Sequence, residues 1–130
     1  MKRTIIIDGN NFSSLITFYD EIERKLTSHL DFKIGRNLDA FNDVLSGGFN
    51  VVEYEEPFIL TWLNSSKSQQ DLGWGETINY TNAKLNTCHP QNIEFVKNDL
   101  KLATAHEGET LFELITGIIK EHEHIELILK

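Results

Sequence analysis

The sequence predicts an α/β fold: a three-stranded parallel sheet flanked by helices, with a long polar insertion before the last helix. Three observations predict it. Apolar runs rich in β-branched or aromatic residues stand near the start, the middle and the end of the chain, at Thr4-Ile5-Ile6-Ile7, Phe58-Ile59-Leu60-Thr61-Trp62-Leu63 and Ile125-Glu126-Leu127-Ile128-Leu129. Stretches of helical period separate them, and strands that alternate with helices pair in parallel through right-handed crossovers. At 130 residues the length fits one domain, 1–130, large enough for a single core without metal or disulfide staples.

The first run is continuous rather than alternating, the pattern of a strand covered on both faces, and Asp8-Gly9-Asn10-Asn11 ends it with turn chemistry. Ser13 or Ser14 can cap the helix that follows. Its Leu15, Phe18, Tyr19, Ile22 and Leu26 recur with helical period, Asp20, Glu21, Glu23, Arg24 and Lys25 fill the outer face, and the pattern runs to about His29. A loop over 31–35 leads to a short helix with Asn37 as N-cap and Gly47-Gly48 as its stop. Leu38, Phe41 and Leu45 make the apolar stripe of that helix, and Asp39, Asn42, Asp43 and Ser46 the neighbouring polar one. Pro57 stands at the mouth of the second strand. Residues from about 64 to 106 are polar and Asn-rich, with turn signals at Gly73-Trp74-Gly75 and His89-Pro90 and one ordered piece at Ile93-Glu94-Phe95-Val96. A structureless loop of that length is unusual in a compact domain, so some helix or an edge strand is expected inside it. Thr110-Leu111-Phe112-Glu113 reads as a capping box, and the helix after it turns a wide apolar face through about Glu121.

The 20 acidic residues outnumber the 12 Lys and Arg, giving a formal charge of −8. That balance disfavours direct binding to nucleic acid, which needs Lys and Arg to replace counterions on phosphate. No apolar run is long enough to span a membrane, and Met1-Lys2-Arg3 leads straight into the first strand without a signal-peptide core; the expectation is a cytoplasmic protein with no membrane partner. Cys88 is the single cysteine, in keeping with a reducing compartment.

The segment Gly35-Arg36-Asn37-Leu38-Asp39-Ala40-Phe41-Asn42-Asp43-Val44-Leu45-Ser46-Gly47 resembles the inhibitory helix of the barstar family, intracellular inhibitors of the ribonuclease barnase. The Pro-led apolar strand ending in Trp62 extends the resemblance, which leaves most of 64–106 uncovered. The resemblance implies a barstar-like fold and a partner that is a basic, extracellular-type ribonuclease or toxin, whose phosphate-binding Arg, Lys and His groups meet the carboxylates. It implies neither enzymatic activity nor a cofactor. Residue by residue, Asp39 and Asp43 match the inhibitory aspartates, Ser46 a contacting Thr, and Gly35 and Gly47 interface glycines. Asn42 stands where such chains carry a Trp, Lys33 where they carry a contacting Tyr, Arg36 replaces an acid, and Gly117 replaces a further Glu. Those changes point away from barnase itself as the target, with Phe32 or Phe49 available as a substitute anchor.

Two other readings remain open on sequence. Ile5-Ile6-Ile7-Asp8-Gly9-Asn10-Asn11 resembles the opening of PIN and NYN nucleases, in which Asp8 with Asp39 and Asp43 would form a metal-binding acidic cluster. A barstar-like interaction protein with a partner other than a ribonuclease is the third class. Cys88-His89, His106 and His122-Glu123-His124 carry metal-ligand types without a standard zinc spacing, and Trp74 reads as a loop anchor for the core.

Overall fold

The strands β1 (Arg3–Asp8), β2 (Phe58–Leu63) and β3 (Ile125–Leu129) form one parallel sheet in the order β1-β2-β3, in a computed structural model that describes residues 2–28, 35–48 and 51–130. Ile5 lies beside Leu60 and Ile7 beside Trp62, while Leu60 and Trp62 face Leu127 and Leu129 in turn. This register puts Ile5, Ile7, Phe58, Leu60, Trp62 and Ile125 on one face, where all six are buried. Among the described residues six α-helices accompany the sheet: α1 (Leu15–Leu26), α2 (Leu38–Ser46), α3 (Ser65–Asp71), α4 (Trp74–Thr87), α5 (Ile93–Thr104) and α6 (Leu111–Lys120). None is long and apolar enough to cross a membrane.

The core is that sheet face covered by α1, α2 and α6. Phe18 stacks on Trp62 at 5.7 Å between ring centroids, and Phe41 and Phe112 close on the pair edgewise or tilted at 5.4 and 5.2 Å. Trp62 is fully buried, and its indole N–H donates to the equally buried Ser68 Oγ of α3 at 2.9 Å, so the largest core side chain leaves no polar atom unpaired.

The opposite face corrects the two-sided reading of the first strand. Ile6 is 45% exposed, and Ile59, Leu63 and Ile128 are only half-buried. Topology supplies the reason. Both crossovers step the same way across the sheet, and crossovers of one hand that step one way lie over one face. The outer-face assignment of Glu21 is corrected as well. Its carboxylate is fully buried and accepts from the Asp8 N–H at 2.9 Å, the Asn11 amide at 2.9 Å and Arg24 Nη2 at 2.8 Å, tying the end of β1 to α1.

Capping residues set the helix limits. Ser14 caps α1 with a reciprocal bond from Thr17, and the helix stops at Leu26, short of the expected limit near His29, which lies outside the described residues. Thr110 and Glu113 form the expected capping box of α6. Residues 64–106 contain three α-helices, a 3₁₀ turn at Pro90–Asn92 where His89-Pro90 signals one, and no strand. Leu72 and Gly73 make the turn between α3 and α4, with Gly73 at the start of α4, while Trp74 and Gly75 lie in the first turn of that helix, and Trp74 stacks on His106 with centroids 5.4 Å apart rather than anchoring the core. The α4 helix joins the body through Tyr80, packed against the core, and through polar contacts: Thr77 Oγ1 accepts from the buried Leu111 N–H at 2.8 Å, and Glu76 accepts from the Leu15 N–H at 2.6 Å.

Candidate functional site

The acidic helix α2 begins where Asn37 Oδ1 accepts from the Ala40 N–H at 2.7 Å. It ends at two glycines in the left-handed half of backbone space, Gly47 at φ +91° and Gly48 at φ +86°. Phe41, Val44 and Leu45 are buried and Leu38 is half-buried, which turns Asp39, Asn42 and Asp43 to solvent and leaves Ser46 half-buried. Neither Asp39 nor Asp43 forms an ion pair among the described residues.

Both ends of the helix are held. Gly47 is buried, and a Cβ there would lie 2.2 Å from the Glu53 carbonyl oxygen, so the residue lets the 53–56 turn close on the helix. The Gly48 N–H donates to Val52 O at 2.8 Å and the Glu55 N–H to Ser46 O at 2.6 Å. Gly35 and Arg36 precede the helix and are exposed. The Arg36 guanidinium binds Glu23 at 3.1 Å and also Asp20, both on α1, and these carboxylates push its already high proton affinity further up. The Arg36 charge is thus neutralised within the domain. Lys33, Phe32 and Phe49 lie outside the described residues.

The segment between α6 and β3 braces the same helix. His122 Nε2 meets Asn42 Oδ1 at 2.7 Å, and His124 Nε2 meets Leu45 O at 2.9 Å with its ring edgewise to Phe58. Burial and the neighbouring His124 hold the His122 pKa below its ordinary value, against an opposing pull from Glu121 and Glu55. Asn42 is therefore an exposed polar residue braced by His122.

Aromatic residues flank the acidic stripe instead. Tyr54, 71% exposed, follows Glu53 in the turn closed by Gly47, and Tyr80 of α4 stands by the helix start, lining a groove of about 400 Å³ with Asn37, Leu38, Asp39, Lys84 and Thr87. Sequence reasoning missed Tyr80 and Lys84. Their i,i+4 spacing puts both on one helix face, yet nothing in the chain says that this face meets α2.

The structure does not assemble the other candidates. Among the described residues no three His, Cys, Asp or Glu side chains are placed to hold a metal ion, so Asp8, Asp39 and Asp43 form no cluster. Asp8 Oδ1 accepts from the Asn10 N–H at 2.9 Å and then from Asn64 Nδ2 at 2.8 Å, and these bonds hold its carboxyl below the usual range. His89 accepts from the Gln91 N–H at 3.1 Å as a turn cap, and half-buried Cys88 terminates α4.

The family model of barstar, the barnase inhibitor, matches residues 2–88. The chain belongs to the barstar family. No curated protein matches it. The matched residues span β1 through α4 and include all of α2, while α5, α6 and β3 lie beyond them. Barstar-family proteins bind ribonuclease partners, and in this chain α2 turns Asp39, Asn42 and Asp43 to solvent.

Proposed function

We propose that this barstar-family chain is an inhibitor or immunity protein that blocks the active site of a basic ribonuclease or toxin. In this reading α2 and the loop before it stand in for RNA phosphates, with Asp39, Asp43, Ser46, Gly35, Gly47, Asn42 and Lys33 at the contact. It acts as a single domain in the cytoplasm, with 64–106 as an insertion, and has no catalytic role of its own. The observation that supports it is the pair of exposed carboxylates one turn apart on a helix fixed at both ends. A fixed acidic helix meets a guanidinium without first being ordered, and complementary fields speed association.

Pull-down from the source cell, followed by ribonuclease inhibition assays on the captured partner, tests the proposal. Truncating one member of a desolvated charge pair strands the other, so Asp43→Ala should weaken binding by about 2–5 kcal/mol and Asp39→Ala by somewhat less, with association slowing steeply as salt rises. Barnase should bind more weakly than it binds to barstar, because Asn42, Lys33 and Gly117 lack the expected groups. Tight binding that survives the Asp39/Asp43 double replacement and ignores salt would place the partner elsewhere on the domain.

A further inference from the structure

The groove between α2 and α4 joins one of the proposed contact carboxylates to an aromatic ring. Asp39 lines it from the α2 side and Tyr80, Lys84 and Thr87 from the α4 side, in a volume of about 400 Å³, enough for one long side chain. Tyr80 and Lys84 also line the adjoining cavity of about 390 Å³ with Asp99, Glu107 and Glu109. Across the two hollows four carboxylates face one ammonium group. The Lys84 Nζ lies 5.9 Å from the centre of the Tyr80 ring, near the outer limit of a cation–π contact, while the Lys84 side chain remains exposed. A cation thus already sits over this ring at the outer limit of contact, on an exposed side chain that forms no ion pair among the described residues.

We propose that this groove is a second part of the partner interface, in which an arginine side chain of the partner displaces Lys84 from the Tyr80 ring and pairs with Asp39. The inference rests on the inhibitor reading for the identity of the partner, and on the groove alone for the chemistry of its occupant. A guanidinium suits the site better than an ammonium, since it stacks flat on a phenol ring and presents a two-pronged donor to a carboxylate. The excess of acids excludes an anionic occupant. Half-burial of Tyr80 fits an anchor too, because a ring already ordered against the core loses little freedom when a partner closes on it. In this way α4 supplies the aromatic contact that position 42 does not.

Two measurements test the inference separately from the inhibitor reading. In the first, the free full-length chain is titrated with N-acetyl-arginine amide, and with the uncharged N-acetyl-citrulline amide, while backbone amide shifts are followed by NMR. Shifts centred on Asp39, Tyr80, Lys84 and Thr87 with the arginine compound, lost with citrulline and in Tyr80→Leu, are expected. Their absence, or equal shifts with citrulline, would overturn the occupant. In the second, Tyr80→Leu and Lys84→Ala are measured against the captured ribonuclease beside Asp43→Ala. Tyr80→Leu should weaken binding on the order of tenfold to thirtyfold, the range of a desolvated cation–π contact, and Lys84→Ala should tighten it by removing the competitor. If Asp43→Ala weakens binding and Tyr80→Leu does not, the groove inference fails while the inhibitor reading stands. If the arginine titration succeeds and Asp43→Ala has no effect, the inhibitor reading fails and the groove keeps its ligand. A circular dichroism spectrum and melting curve for Tyr80→Leu that match wild type exclude unfolding as the cause, and Tyr80→Phe, which keeps the ring, should retain most of the affinity.

Discussion

Replacing each of the two glycines after α2 by alanine separates backbone strain from collision. Gly47 and Gly48 both have positive φ, +91° and +86°, and Gly47 with ψ −171° lies in a region essentially reserved for glycine, so an L residue at either position bears a conformational penalty on the order of 1–3 kcal/mol. Their surroundings differ. A Cβ at Gly48 meets nothing within 4 Å, whereas one at Gly47 lies 2.2 Å from the Glu53 carbonyl oxygen and 2.9 Å from its carbon. Ordinary contact begins near 3.4 Å, so the 53–56 turn must retreat by about 1 Å and disturb the Gly48 N–H to Val52 O and Glu55 N–H to Ser46 O bonds. Losing or stretching two backbone bonds adds about 1–3 kcal/mol. Gly48→Ala should therefore destabilise by roughly 1–2 kcal/mol and Gly47→Ala by roughly 3–5 kcal/mol. Urea unfolding followed by tryptophan fluorescence reads both, with the slope m compared to confirm that only stability has changed. Equal penalties at the two positions, or a Gly47→Ala protein within about 0.5 kcal/mol of wild type, would refute the argument that the turn closes on a bare backbone.

Further outcomes at three residues follow from the geometry. Glu21→Ala strips the Asp8 N–H, the Asn11 amide and Arg24 of one shared acceptor and should cost about 2–4 kcal/mol in chemical denaturation. Burial pushes the Glu21 carboxyl up, but the bonds from Asp8, Asn11 and Arg24 outweigh it and leave the folded-state pKa lowered; its stabilisation is present above the ordinary value of 4.5 and is lost as pH falls through the folded value, so Glu21→Gln should flatten the acid limb of a stability–pH curve. The folded pKa of His122 is also lowered, so its neutral form contributes stability above 6.5 that declines as acid charges the ring against burial and His124; melting temperatures should fall less below pH 6.5 in His122→Gln than in wild type. Gly117 lies inside α6 with open space around its would-be Cβ, so Gly117→Ala should stabilise by about 0.5–1 kcal/mol in the same unfolding assay.

What the sequence displays is what depends on local pattern. The three strands, the Thr110–Glu113 box and the cap-to-glycine span of α2 were legible because each is specified by neighbours within a few residues. Glu21 was misplaced because helical period assigns a charged residue to the outer face, and only the return of β1 and Asn11 against α1 supplies the donors that make its burial stable. The open side of the sheet was hidden for a related reason: a run of isoleucines is consistent with cover on both faces, and the strand order alone decides otherwise. Helix α4 was unreadable because, Tyr80 apart, it is fastened by Thr77 and Glu76, polar residues that leave no apolar stripe, and α5 was visible only as its first four residues. Within the candidate site the exposed acidic stripe follows from spacing, while the His122 and His124 braces and the Tyr80 groove depend on contacts between elements far apart in the chain.

The wide separation of β2 from β3 shapes the route to the folded state. Residues 64–124 lie between two strands that pair directly, and the Lys130 N–H reaches back to Trp62 O at 2.9 Å while the Ser65 N–H reaches Lys130 O at 2.8 Å. Closure entropy rises only logarithmically with loop length, so a doubling costs about 0.6 kcal/mol and the three helices of 64–106 are a small thermodynamic burden. Their effect falls on time instead. Parallel pairing at long sequence separation is slow, and until β3 arrives β2 is a bare edge beside β1 with Leu60 and Trp62 uncovered on one flank. The hairpin of α4 and α5 makes contacts close in sequence and can form early, so refolding should show helix signals ahead of tryptophan burial, with the acidic helix completed last, when His122 and His124 come in with the final strand.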